Sequence, residues 1–211
     1  MAPNPSRRRE SSRRAILTAA FDLLQEVGYA KLTVEGIAAR AGVGKQTIYR
    51  WWPSKGVVIL DAFLMLNEDG AGEPVLLPDT GDLHADLTAV LRATVVELTD
   101  PRYDQPMRAL ATEITHDPEL AAAYAERLDK PMRHAKRHRL RSAQRAGQLA
   151  ADLDLDVAVD IIWGPVLNRW LQRSGPLTSE YADSVVAAAL NGLHPRPRNS
   201  RVGRTADGGA V

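Results

Sequence analysis

Cysteine is missing from all 211 residues, which removes disulfide frameworks, thiolate zinc sites and cysteine nucleophiles together. Aromatic residues make up only 5% of the chain, with two phenylalanines, so a core has to be built from aliphatic side chains. No apolar run approaches the ~18 residues of a membrane span, and the polar start Met1–Glu10 has no signal-peptide core. A soluble, cytoplasmic protein is therefore the expectation. No stretch sustains β-branched alternation, which argues against a sheet, and no internal repeat is found. What remains is ordinary globular material, 45% hydrophobic and 25% charged. A chain of this length can bury about 70% of its unfolded surface, and at roughly 150 residues per domain it makes one compact domain or two small ones.

Net charge is only +1, from 27 basic and 26 acidic residues, which taken alone speaks against strong nucleic-acid affinity. The average conceals blocks. Residues 1–55 carry 10 Lys/Arg against 4 Asp/Glu, a net of +6, whereas residues 56–129 carry 4 against 15, a net of −11. Residues 130–151 hold 7 basic residues and no acid, and 194–211 hold 4 Arg and one Asp. Such asymmetry suggests an N-terminal module that faces a polyanion and a remainder employed otherwise. Any single run also reads as a solvated face, so the signal counts only if residues 1–55 form a unit shaped for nucleic acid.

Almost every segment has helical periodicity. In Ser11–Gly28 the positions Ile16, Leu17, Ala20, Phe21, Leu24 and Val27 form one apolar stripe, and Gly28 suits a left-handed stop. Thr33 is placed to cap a short second helix. Ala41-Gly42-Val43 reads as a turn, Lys45–Trp51 as a third helix ended by Pro53, and Ser54 as the cap of a fourth running to about Glu68. Asp69-Gly70-Ala71-Gly72-Glu73-Pro74 through Gly81 carries several breakers and predicts a loop. Further helices are expected at about 82–99, 104–116, 118–129, 131–147, 155–173 and 178–193, separated at Pro101, Asp117-Pro118, Pro131, Gly147 and Gly175-Pro176. Asp117 and Thr178 are plausible N-caps. The domain expectation is a mobile basic arm over 1–10, a helix-turn-helix domain over 11–55, a helical ligand-binding and dimerisation domain over 56–194 and a mobile tail over 195–211.

The informative stretch is Thr33 through Arg50. Two short helices crossing at about 90–120° need a tight turn between them. Ala38 is small where they approach, and Gly42 can supply the positive φ the turn requires. Ile37, Val43 and Ile48 point inward against Phe21 and Leu24. Lys45, Gln46, Thr47, Tyr49 and Arg50 are left outward, side chains of the kind that read base edges and hold phosphates in a major groove. Thr33 and the positive end of the second helix can add a phosphate contact. Arg7-Arg8-Arg9 with Arg13-Arg14 either reach an adjacent minor groove or form a solubilising arm.

The unit resembles the DNA-binding domain of the TetR/AcrR family of transcriptional regulators. The resemblance is carried by Ala15-Ile16-Leu17, Ala19-Ala20-Phe21, Gly28-Tyr29, Thr33-Val34, Ile37-Ala38, Ala41-Gly42-Val43 and the run Thr47 to Lys55. That last run matches the family's Tyr-x-x-aromatic-x-x-Lys signature, with Trp52 at the aromatic position. It covers roughly residues 11–60. The resemblance implies Tyr49 on one phosphate and Lys55 on another; read as residues, Trp52 suits the core and Trp51 either the core or the sugar–phosphate backbone. Two departures stand out: Gly44 where a Ser or Thr cap is common, and Gly56 in place of an acidic residue, which would loosen the third and fourth helices.

The resemblance further implies a homodimer paired through the last two helices, where Ile162, Val166, Trp170, Tyr181, Val185 and Ala189 are interface candidates. Two-fold pairing implies a near-palindromic double-stranded DNA operator. The region between is implied to enclose a cavity for an unidentified small-molecule effector, with Leu87, Leu91, Tyr103, Met107, Leu110, Ile114, Tyr124 and Trp163 as lining candidates. The basic run Lys130–Arg145 spreads around its helix and is expected to pair with acidic neighbours.

Enzyme readings fail one by one. Gly42-Val43-Gly44-Lys45-Gln46-Thr47 lacks the first glycine, the Ser/Thr after the lysine and the preceding strand of a phosphate loop. The histidines at 84, 116, 134, 138 and 194 show no His-Glu-x-x-His pattern or comparable ligand set, with His134 and His138, one turn apart among arginines, left as a poor metal pair, and no nucleophile elbow occurs. No metal, cofactor or catalytic residue is expected. The expected fold is all-α, and the expected function is a ligand-responsive, sequence-specific transcriptional regulator, most simply a repressor. The rival is a helical small-molecule- or partner-binding protein without sequence readout.

Overall fold

The computed structural model describes residues 5–66 and 76–193, and all secondary structure among them is helical. In chain order the helices are α1 (Pro5–Val27), α2 (Val34–Ala41), α3 (Lys45–Tyr49), α4 (Lys55–Leu66), α5 (Leu83–Thr99), α6 (Pro101–Glu113), α7 (Pro118–Tyr124), α8 (Lys130–Arg145), α9 (Leu155–Gln172) and α10 (Ser179–Leu193). The first helix begins at Pro5, within the expected arm over 1–10, where a missing backbone N–H costs nothing. Residues 1–4, the tail from 194 and most of the expected loop (67–75) lie outside the described residues.

Aliphatic side chains gather into two cores. The first joins Ile16, Leu17 and Leu24 of α1, Ile37 of α2, Ile48 of α3 and nearly all of α4 to Leu110 of α6 and Leu120 of α7. The second joins Leu87 and Leu91 of α5, Leu140 of α8, Ile162, Trp163 and Val166 of α9, and Val185, Val186 and Ala189 of α10. Met107 of α6 packs against both. Packing therefore sets α4 with the N-terminal module, across the expected 55/56 boundary.

The contact of α4 with α7 explains Gly56. A Cβ there would sit 2.8 Å from Leu120 Cδ2 and 3.3 Å from Asp117 Oδ2. The glycine thus permits a close approach, which the loosened helix anticipated from the sequence did not include. Ser54 Oγ donates to Asp117 Oδ2 at 2.5 Å, while Asp117 Oδ1 caps α7 by accepting from the Glu119 and Leu120 amides.

The expected break at Pro131 does not occur. From α7 the chain passes through a π-turn, Ala125–Asp129, directly into α8, with helical dihedrals throughout. Lys130 N–H reaches back five residues to Ala125 O. Pro131 has no N–H and its ring would crowd the carbonyl four residues earlier, and widening the helix just before it accommodates both demands. The result is one rod whose first half belongs to the first core and whose second half belongs to the other.

A buried ion pair pins the entry to α5. Arg139 and Asp86 are 2% and 3% exposed. Arg139 Nε and Nη2 donate to Asp86 Oδ2 at 3.0 and 2.7 Å, and Nε also donates to Pro78 O at 2.9 Å. Thr80 donates its backbone N–H and its hydroxyl to the same carboxylate. Burial pushes the Asp86 carboxyl up, but the Thr80 and Arg139 hydrogen bonds outweigh it and hold the group below its ordinary value. Three more of the seven basic residues in this run are also used locally: Arg133 pairs with Asp156 and Asp160, Arg137 with Asp156 and Lys130 with Glu126.

Candidate nucleic-acid interface

The helix-turn-helix is assembled by backbone chemistry local to each residue. Thr33 is extended at φ −126° and ψ 151°, and its Oγ1 accepts from Gly36 N–H at 3.0 Å, capping α2. Gly42 sits at φ 67° and ψ 33° after the last turn of α2, and Val43 N–H returns to Ala38 O at 3.0 Å. That left-handed residue with its returning amide is what a sharp helix stop needs. Gly44 then begins α3 with no side-chain cap, as its lack of a hydroxyl dictates.

α3 is anchored by one side chain. Ile48 is fully buried, beside Ile37 and Ala38 of α2. Its neighbours on the helix face away: Lys45, Gln46, Tyr49 and Arg50 are exposed and Thr47 is half-buried. Tyr49 is 51% exposed, unusual for a tyrosine with a core to join. Lys45 Nζ donates to Glu35 Oε1 at 3.2 Å across the outer surface; both side chains are more than half exposed, so a phosphate can replace the carboxylate at little cost. Arg50 lies over the Trp51 ring, 5.6 Å from its centroid, and Trp51 meets Trp52 edge-on. Trp52 is buried and donates its indole N–H to Asp61 Oδ2 at 2.9 Å.

Lys55, the other lysine implied to meet a phosphate, is half-buried. Its Nζ turns inward, donating to Tyr29 O at 3.0 Å and Leu32 O at 3.1 Å and lying 3.9 Å from the Tyr29 ring centroid. Burial lowers its pKa and, on its own part, raises that of the Tyr29 hydroxyl. The lysine here ties the loop after α1 to the start of α4.

The six interface candidates all pack on the second core of their own chain. Ile162, Val166, Trp170, Val185 and Ala189 are buried within their own chain, and Tyr181 is half-buried, packed on the same core. The outward apolar face of α9 is the neighbouring set: Val157, Ile161, Leu167 and Leu171 are each at least 40% exposed. On α10, Ala187, Ala188 and Gly192 are exposed. The eight lining candidates do not converge on one cavity either. Leu87, Leu91 and Trp163 belong to the second core, whereas Leu110, Ile114 and Tyr124 belong to the first or pack on it. Tyr103 stacks edge-on against Phe63, and Met107 sits between the cores.

Two further residues went unnoticed in the sequence. Asp61 is the one acid in the apolar run of α4, and that isolation was a visible signal. Arg127 was hidden inside a stretch of mixed charge. Their side chains meet as an ion pair.

Among the described residues no helix is long and apolar enough to cross a membrane, and no group of three or more His, Asp or Glu side chains is placed to hold a metal.

Comparison with known proteins matches this architecture half by half. Residues 16–62 match the family described as bacterial regulatory proteins, tetR family, and residues 77–189 match the tetracyclin repressor-like C-terminal domain. The chain is 35% identical to the HTH-type transcriptional regulator YdeS of Bacillus subtilis (strain 168) over 187 residues, 88% of this chain and 91% of that protein. It is 32% identical over 127 residues to the DNA-binding transcriptional repressor TetR of Mycobacteroides abscessus, covering 59% of this chain and 63% of that one. The crystal structure of the TetR family transcription regulator SCO0332 superimposes with a TM-score of 0.69 at 36% identity, covering 87% of this chain and 99% of that chain. With both halves matched and a relative 35% identical over nearly its whole length, the chain belongs to the TetR family of helix-turn-helix transcriptional regulators.

Proposed function

We propose that this chain is a dimeric repressor that reads a two-fold symmetric operator through α3 of each protomer and leaves it when a small molecule binds the helical body. The observation that carries the reading is the division of labour on α3: Ile48 alone is driven into the core, and Lys45, Gln46, Tyr49 and Arg50 are presented together on the outside. Their donors suit phosphates and the acceptor-rich edge of guanine, and the glutamine suits adenine. Thr33 adds a hydroxyl at the N-terminus of α2.

The dimer face is assigned to Val157, Ile161, Leu167 and Leu171 of α9 together with Ala187 and Ala188 of α10, since exposed aliphatic residues in register on one helix favour a covered surface. A single helix-turn-helix buries about 600–1,000 Å² on DNA, and pairing two of them supplies the specificity one lacks. An effector would enter by parting helices near Met107, where the two cores abut.

Selection of bound sequences from random duplexes tests the reading: a recovered motif with two inverted half-sites, a whole number of helical turns apart, is expected. Recovery of unpatterned sequence, or equal loss of selected and random DNA in Tyr49→Ala and Arg50→Ala, would favour the helical binding protein without readout.

A further inference from the structure

Asp61 stands where four parts of the molecule meet. It is 7% exposed on α4, a helix otherwise apolar through its middle. Arg13 of α1 donates to its Oδ2 at 3.2 Å, and Trp52, on the connection between α3 and α4, donates to the same oxygen at 2.9 Å. Arg127, on the π-turn of the long rod, pairs with Oδ1. Of these three cations and donors only Arg127 comes from outside the N-terminal module.

We propose that the Asp61–Arg127 pair is a latch that fixes the orientation of the DNA-reading module on the helical body, making both of them positioning residues for operator recognition; the inference rests on the reading of α3 given above. A contiguous set of contacts leads from the latch to the reading surface. Asp61 holds the Trp52 indole, Trp52 packs edge-on against Trp51, and the Arg50 guanidinium lies over Trp51. The Trp52 amide also donates to Ile48 O at 2.9 Å, at the residue that anchors α3. At the other end, the π-turn breaks the regular α-helical ladder of the rod, with Lys130 N–H reaching Ala125 O five residues back, and such turns are frequent at functional sites. Displacing Arg127 leaves one carboxylate shared by Arg13 and Trp52 where three groups had fixed it.

Charge and exposure make the latch separable from the fold. Arg127 is 40% exposed, so its truncation opens no core cavity, and Asp61 keeps Arg13 as counter-ion. Because the chain contains no cysteine, nitroxide labels can be placed at two introduced sites alone. Ala39→Cys on α2 and Arg141→Cys on α8 are both exposed positions, one on the module and one on the body. The intrachain distance distribution between them is measured by pulsed electron resonance in full-length protein diluted with unlabelled chain.

Arg127→Ala is expected to broaden or shift that distribution and to weaken binding to the selected duplex about tenfold, with random-duplex binding changed far less. Arg127→Lys, which retains the charge, is expected to recover most of both. An unchanged distribution in Arg127→Ala overturns the latch. So does an altered distribution with unaltered preference for the selected duplex, because a merely structural tie has that signature. If the unsubstituted protein shows no preference for any duplex, the reading of α3 fails, and the distance measurement still decides whether the pair orients the two parts.

Discussion

Replacing Arg139 by methionine tests the packing argument most severely. The substitution keeps the stem of the side chain and deletes the guanidinium, leaving the Asp86 carboxylate in a site 3% exposed with only Thr80 as donor. Three hydrogen bonds disappear, two to Asp86 and one to Pro78 O. Stranding one member of a buried ion pair costs about 3–5 kcal/mol. For a chain of this size each kcal/mol lowers the melting temperature by about 2–4 °C, so a fall of about 6–20 °C is expected. Scanning calorimetry at neutral pH reads it directly. The double variant Asp86→Leu/Arg139→Met removes both charges, and Pro78 and Thr80 are exposed enough for water to serve their polar groups; it should recover roughly half of the loss. The pH dependence has a defined sign. The Asp86 carboxyl is held below its ordinary value in the folded protein, so its contribution is complete above the unfolded value near 3.9 and is lost as pH falls through the folded one. The gap between parent and Arg139→Met should therefore narrow below about pH 4. A melting change under about 2 °C at pH 7, or a gap that widens on acidification, would refute the assignment of the pair as the pin between α5 and α8.

Other substitutions discriminate equally well. Gly56→Ala gains about 1 kcal/mol of helix propensity but forces a methyl to 2.8 Å from Leu120; a net loss of about 1 kcal/mol is expected, visible as a melting shift of about 2–4 °C that Leu120→Val partly relieves. Arg50→Ala should weaken the selected duplex by about ten- to a hundredfold and lower the salt slope of binding, measured by fluorescence anisotropy at several ionic strengths. Ile161→Glu, on the outward face of α9, should yield monomers in sedimentation with little change in helicity. Its neighbour Ile162→Ala should do the opposite, costing about 2–5 kcal/mol of stability while leaving the oligomeric state intact.

What the sequence could disclose follows from how local each cause is. The turn at Gly42, the cap at Thr33 and the inward Ile48 depend on a few adjacent residues, and all three were legible. The outward face of α9 was not, because Ile161-Ile162, Val166-Leu167 and Trp170-Leu171 are adjacent apolar pairs about 100° apart on the helix, and composition does not say which member faces the chain's own core. Lys55 shows a second limit: its charge suited a phosphate, but the direction of its stem is set by the Tyr29 and Leu32 carbonyls, which only the folded loop brings into reach. The lining candidates failed to converge for a similar reason, since α6 sends Leu110 to one core and Met107 to the seam between two. Pro131 was read as a break because a proline's clash with the preceding turn was considered without the option of widening that turn.

That widened turn amounts to one surplus residue spliced into an otherwise regular helix. Excising it would let the strand of backbone close into plain α geometry while Leu120 and Leu140, on either side, kept their allegiance to separate interiors. Homologous chains can consequently gain or shed a single position between 125 and 129 without rebuilding either interior, and a one-residue gap there would mark which of them present a second guanidinium to the carboxylate beneath the tryptophan and which leave it to the one from the first helix.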